Sequence, residues 1–139
     1  MIAVNTNDYL ALDLGNVRTG IARASTEARL PEPLGTIPTS RLLSYLRERI
    51  DTGGVEALVV GLPRNLKAED TDQTKWARNL AEQLKKEFNL PVYLQDEALT
   101  TTIAKKREIT GKTIDIDSEA AAIILGDFLE TSPENRIRL

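Results

Sequence analysis

Apolar residues crowd the first patterned stretch, Tyr9-Leu10-Ala11-Leu12, which then delivers one carboxylate at Asp13 and breaks at Gly15. A second run, Arg18 to Ala24, alternates through Thr19, Ile21 and Ala24. The two read as the arms of an antiparallel hairpin turning at Gly15-Asn16. A third strand is expected around Leu34 to Pro38, confined to a sheet edge by Pro31, Pro33 and Pro38. From Ser40 the period becomes helical: Leu42, Leu43, Leu46 and Ile50 form one stripe, Thr39 or Ser40 can cap its start, and Gly53-Gly54 ends it. Val55 to Val60 is an unbroken apolar run closing at Gly61-Leu62-Pro63. A run without alternation is expected to be buried on both faces, in the centre of a sheet covered by helices.

The second half continues the alternation of element types. A polar loop from Arg64 leads into a helix from about Thr71 to Phe88, with Trp76, Ala77, Leu80, Ala81, Leu84 and Phe88 on its apolar face. Trp76 reads as a core anchor rather than a base-stacking platform. Pro91 to Gln95 is a short strand with Asp96-Glu97 just past it. Thr100 to Thr110 reads as a helix carrying Lys105, Lys106 and Arg107, stopped by Gly111. The last helix begins near Asp117 and runs to about Glu130 along Ala121, Ile124, Leu125, Phe128 and Leu129. Residues 1–8 form a polar lead and 131–139 a polar tail, both expected to be mobile. The pattern predicts one α/β domain over 1–139: a mixed five-stranded sheet flanked by helices, in the order βββαβαβα with an additional C-terminal helix.

Composition then narrows the chemistry. At 139 residues with 41% hydrophobic content, the chain supports one well-buried core. It has no Cys and no His, which excludes disulfides, thiolate nucleophiles and imidazole ligands or bases. Any metal site must therefore be built from oxygen atoms, which suits Mg²⁺ or Mn²⁺ better than Zn²⁺. A net charge of -3 and a pI near 5.1 argue against broad, unselective nucleic-acid binding, leaving room for a confined polyanion site near Arg18, Arg64 or the basic group at Lys105 to Arg107. No apolar run approaches the roughly 20 residues that span a bilayer, and no signal-peptide pattern opens the chain, so a cytoplasmic location is expected.

Three carboxylates fall at comparable places: Asp13 at the first strand, Glu97 at the last, and Asp117 opening the final helix. If the first and fourth strands are neighbours, the three converge where an open sheet forms its ligand crevice. Converging carboxylates repel unless a divalent cation sits between them, so the trio reads as a Mg²⁺ or Mn²⁺ cage. Taken singly, each acid has a plainer role: Asp13 accepting from turn amides, Glu97 ending a strand in water, Asp117 capping a helix.

The pieces Leu10-Ala11-Leu12-Asp13-Leu14-Gly15 with Gly20-Ile21-Ala22, Val59-Val60-Gly61-Leu62-Pro63, Asp96-Glu97 with Leu99-Thr100-Thr101, and Asp117-Ser118 with Ala121 to Leu125 occur in order along nearly the whole chain. Together they resemble the YqgF/RuvX family. The resemblance implies a ribonuclease H-like fold and a metal-dependent nuclease, described for the family as a Holliday junction resolvase and as a processing enzyme for precursor 16S ribosomal RNA in ribosome biogenesis. By that resemblance Asp13, Glu97 and Asp117 are catalytic metal ligands, Gly15 and Gly61 are motif glycines, and Thr100 and Thr101 adjoin the second acid. Arg18, Arg64, Lys105, Lys106 and Arg107 are the candidates for gripping phosphates, with ordinary solubilising charge as the alternative for each. Structured or single-stranded RNA is the favoured substrate and branched DNA the alternative. The chain departs from the family in carrying Ala98 where an Arg usually follows the Asp-Glu pair, in a shorter segment between Thr101 and Asp117, and in lacking a glycine after Pro63. Asp115 competes with Asp117 for the third acid, though the Asp-Ser and Ala-Ala spacing favours Asp117. Two rivals remain: a catalytically silent module that binds RNA or protein, and a nucleotide-binding fragment of the actin and sugar-kinase type, which shares the Asp-x-Gly hairpin.

Overall fold

The computed structural model describes residues 7–98 and 115–139. Its elements are β1 (Asp8–Leu14), β2 (Arg18–Ser25), β3 (Glu32–Pro38), a 3-10 turn over Thr39–Arg41, α1 (Leu42–Asp51), β4 (Val55–Arg64), α2 (Asp72–Phe88), β5 (Val92–Ala98), α3 (Ile116–Glu130), a 3-10 turn over Pro133–Asn135 and β6 (Ile137–Arg138). The strands form one sheet in the order β3-β2-β1-β4-β5-β6. β1 runs parallel to β4 and β4 parallel to β5, whereas β2, β3 and β6 are antiparallel to their neighbours. The expected helix over Thr100 to Thr110 lies outside the described residues.

Strand alternation divides the core into two layers. Leu10, Leu12, Leu14, Leu58, Val60, Leu62, Val92 and Leu94 face Leu42 and Leu46 of α1 and Ala77, Ala81 and Leu84 of α2. The opposite face of the sheet is lined by smaller residues, Ala11, Ala22, Ala24 and Val59, beneath Ala121, Ile124, Leu125 and Phe128 of α3. Small side chains on the sheet let α3 lie close to it, and Phe128 packs against the rings of Tyr9 and Tyr93 at 5.3 and 5.1 Å. Arg29 donates to the carbonyl of Leu129 at 2.7 Å, placing a cation at the negative end of α3. Trp76 packs against the first layer as expected. Among the described residues, no helix is long and apolar enough to cross a membrane.

The structure departs from the sequence-based expectations at four places. The sheet has six strands, because Ile137 and Arg138 pair with Leu94 and Tyr93, so the segment read as a mobile tail closes one edge of the sheet. Arg136 stacks on Phe128 at 4.3 Å and helps hold that segment down. β5 extends to Ala98, so Asp96 and Glu97 lie within the strand, because β4 continues to Arg64 and offers them ladder partners. Thr39 caps no helix: its hydroxyl donates to the carbonyl of Gly15 at 2.6 Å and tethers the β1–β2 turn.

The fourth departure is Asp8, which belongs to β1 rather than to a polar lead. Its carboxylate is buried and accepts from Arg23 Nε and Nη2 at 2.8 and 2.9 Å and from Arg49 Nη2 at 2.9 Å. The Arg23 hydrogen bond, against the opposing cost of burial, holds the Asp8 carboxyl below its ordinary value of 3.8. A folded-state pKa below the unfolded one means that the unfolded chain binds the proton more readily, so the stabilisation is present above the ordinary carboxylate range and lost as pH falls through it. Asp8→Asn is expected to cost about 2 kcal/mol at pH 7, less than a fully enclosed pair because both arginines keep water contact. Urea melts from pH 7 to pH 3 should show a shallower acid-side loss for the variant, and parallel curves would refute the assignment.

Candidate active site

The carboxyl ends of the parallel strands β1, β4 and β5 lie together at one end of the sheet, with Asp13 near the end of β1 and Glu97 near that of β5. Asp13 follows Ala11 in alternation and so shares the face covered by α3. It pairs across to Gly20 of β2, which pairs in turn with Thr36 of β3. One residue beyond the Leu12–Val60 pair, Asp13 is also level with Gly61, whose partner on β5 is Gln95. Glu97 follows Tyr93 and Gln95 on the same face and is buried. Asp13 and Glu97 each have partners of their own.

Asp117 reaches this face from α3. A Cβ at Gly20 would fall on the carbonyl of Asp117 and within 2.8 Å of the Ser118 nitrogen, so the missing side chain makes room for the start of the helix directly beside Asp13. At Gly61 a Cβ would meet Ile124 Cδ1 at 2.5 Å, so the second motif glycine admits the next turns of α3. Gly15 has a different task, since a Cβ there would strike the carbonyl of Arg18 and open the tight β1–β2 turn.

The N-cap of α3 is Asp115. Its Oδ1 accepts from the backbone nitrogens of Asp117 and Ser118 at 3.2 and 3.3 Å, and from the hydroxyl of Thr36. Those bonds, that from Thr36 foremost, hold the Asp115 carboxyl below the usual range. Asp115 thus caps the helix, and Asp117 stands in its first turn. Asp117 Oδ2 lies 3.3 Å from Arg18 Nε; the Arg18 side chain is 71% exposed and that of Asp117 28%. A pair so open to water is weak and exchangeable.

Arg64 is not brought to these acids. It continues the alternation of Val60 and Leu62 toward α2, as Asp96 continues that of Val92 and Leu94. On that reverse face its guanidinium donates to Asp96 at 3.0 and 3.2 Å and pairs with Asp70, which Arg78 also holds at 2.8 Å. Thr100, Thr101, Lys105, Lys106 and Arg107 lie outside the described residues.

An all-oxygen donor set on one face suits a hard divalent cation chemically. Among the described residues, no three acidic side chains are gathered tightly enough to enclose an ion. The acids share a face and an end of the sheet without forming a closed cage. The sequence reading quoted Gly20 within a motif without giving it a task, weighed Asp115 only as a rival acid and passed over Thr36; a glycine inside a strand pattern marks a close backbone approach and was the available signal for the first.

A mixed sheet of this order, covered by helices on both faces, is a ribonuclease H-like fold. The solved structure titled "T. thermophilus RuvC in complex with Holliday junction substrate" shares this fold, with a TM-score of 0.56 at 14% identity over 96% of this chain and 99% of that one. A family model described as "RuvX: Holliday junction resolvase" matches residues 7–131, and the chain belongs to that family. Among its relatives, the protein named "Putative pre-16S rRNA nuclease" in Chloroflexus aurantiacus is 33% identical over 141 residues, covering 95% of this chain and 92% of the relative. One of the same name in Bacteroides fragilis is 32% identical over 132 residues, covering 88% and 95%.

Proposed function

We propose that the protein is a divalent-metal-dependent nuclease that hydrolyses phosphodiester bonds in structured RNA, with precursor 16S ribosomal RNA as the substrate. The observation that carries this reading is the row Thr36–Gly20–Asp13 across β3, β2 and β1, on which the first turn of α3 seats Asp117 beside Asp13 on the face that Glu97 shares. Asp13, Glu97 and Asp117 would hold Mg²⁺ or Mn²⁺, their mutual repulsion falling once a cation lies between them. Such an ion supplies Lewis acidity toward water and toward the phosphoryl oxygens. The chain's own residues orient and exclude: the sheet fixes Asp13 and Glu97, α3 shields their inner side, and Arg18 can leave Asp117 for a phosphate because most of its side chain is in water. RNA processing follows from the names of the relatives, and a cytoplasmic location goes with it. Resolution of branched DNA is the second reading, favoured by the family's description.

Labelled structured RNA and a labelled four-way DNA junction, each incubated with Mg²⁺, Mn²⁺ or EDTA, separate these readings. The expected result is RNA cleavage that needs either metal and stops with EDTA. With about three phosphate contacts, the log–log salt slope for RNA binding should be shallow, roughly -2. Cleavage of the junction alone would move the assignment to resolvase, and cleavage of neither substrate would leave a silent binding module.

A further inference from the structure

An N-cap needs only a side-chain oxygen near the first helical amides. Asp115 does more. The oxygen that accepts from Asp117 and Ser118 also accepts from Thr36, a residue of the edge strand β3 some eighty positions away in sequence. Its own backbone carbonyl receives the Ser118 hydroxyl at 3.1 Å and the Glu119 amide at 3.0 Å. Thr36 lies directly across from Gly20, the residue on whose bare Cα the Asp117 carbonyl rests. The start of α3 is therefore fixed from two sides, seated on β2 by contact and pinned to β3 by a hydrogen bond. Ala121, Ile124, Leu125 and Phe128 hold the later turns of α3 to the sheet, so losing the pin would loosen chiefly the first turn, which carries Asp117.

We propose that Asp115, pinned by Thr36, is a positioning residue that sets where the Asp117 carboxylate stands beside Asp13, and through that placement sets the divalent-ion affinity of the site. The inference rests on the reading of Asp117 as a metal ligand. Residues that orient metal ligands without touching the ion typically alter affinity by 10- to 100-fold when removed.

The test is Mn²⁺ binding by the full chain, followed by calorimetric titration, with thermal melting in parallel. Asp115→Ala should weaken Mn²⁺ binding about 10-fold. Thr36→Val, which keeps the cap and the side-chain shape but loses the pin, should weaken it in the same direction while melting close to the parent. Asp115→Asn keeps an oxygen for the same three donors and should bind within about twofold of the parent. Because Asn removes the same charge as Ala, this comparison separates positioning from long-range attraction. Unchanged affinity in both Asp115→Ala and Thr36→Val overturns the proposal, as does an Asn variant weakened as much as the Ala variant. If Asp115→Ala melts too early to titrate, Thr36→Val decides alone. Asp117→Ala supplies the remaining control: if it binds Mn²⁺ as tightly as the parent, the ligand reading itself fails and takes this proposal with it. If it weakens binding while the Asp115 and Thr36 variants do not, only the positioning role falls.

Discussion

Asp13→Ala will reduce metal-dependent cleavage by about 10³-fold or more while leaving the fold in place. The side chains on either side of Asp13, Leu12 and Leu14, point into the α1/α2 layer and are untouched by the change. The carboxylate itself belongs to the opposite face, where it sits between Gly20 and Gly61, two residues that contribute no side chain of their own. Removing it therefore takes away a charge without opening a hole in a packed layer. Single-turnover cleavage of labelled RNA at saturating Mg²⁺, with circular dichroism and urea melts of the same preparation, separates the two effects. Asp13→Asn should fall almost as far, since the amide keeps the shape and loses the charge. A folded alanine variant with more than a tenth of the parent rate would remove Asp13 from the reaction and with it the nuclease mechanism.

Gly20→Ala should be the most damaging single-methyl addition in the sheet. The new Cβ would fall on the backbone of Asp117 and Ser118, which cannot rotate away as the tip of a side chain could. α3 would have to lift or slide, giving up contact with Ala11 and Ala22, at a cost of about 3 kcal/mol. Activity should be lost beyond what the unfolded fraction explains, because the element that moves carries one of the three acids. Gly61→Ala is the matched comparison: its Cβ meets the Cδ1 of Ile124, which can change rotamer, so the cost should be nearer 1 kcal/mol. Urea denaturation of both variants checks the ranking, and a Gly20→Ala protein within 1 kcal/mol of the parent would show that α3 is not seated as described.

The main architecture was legible because periodicity reports directly on burial. The unbroken Val55 to Val60 run does lie in the middle of the sheet, between β1 and β5, and the proline-flanked strand does lie at its edge. What escaped was set by pairing rather than pattern. Asp96 and Glu97 look like a strand end in isolation, yet β4 runs far enough to give both a partner. Ile137 and Arg138 are too short a strand to leave any period, and only their position against β5 orders them. The same limit applies at the site. The recurrence of acids at strand and helix ends marked Asp13, Glu97 and Asp117; alternation puts the first two on the face that α3 covers, and the backbone of the third rests on Gly20, across from Asp13. Arg64 could not be separated from them by sequence, because whether a strand residue faces one layer or the other depends on where the ladder continues.

That alternation makes Asp96 and Glu97 neighbours in sequence that serve opposite surfaces, and a slip of one position along β5 would exchange them. The grip of Arg64 on a carboxylate therefore does not by itself hold the register. In the shifted register Glu97 would stand where Arg64 now holds Asp96 and the ion pair could re-form; the cost would fall instead on the packed layers, because Val92 and Leu94 would leave the α1/α2 layer and Tyr93 and Gln95 would be driven into it.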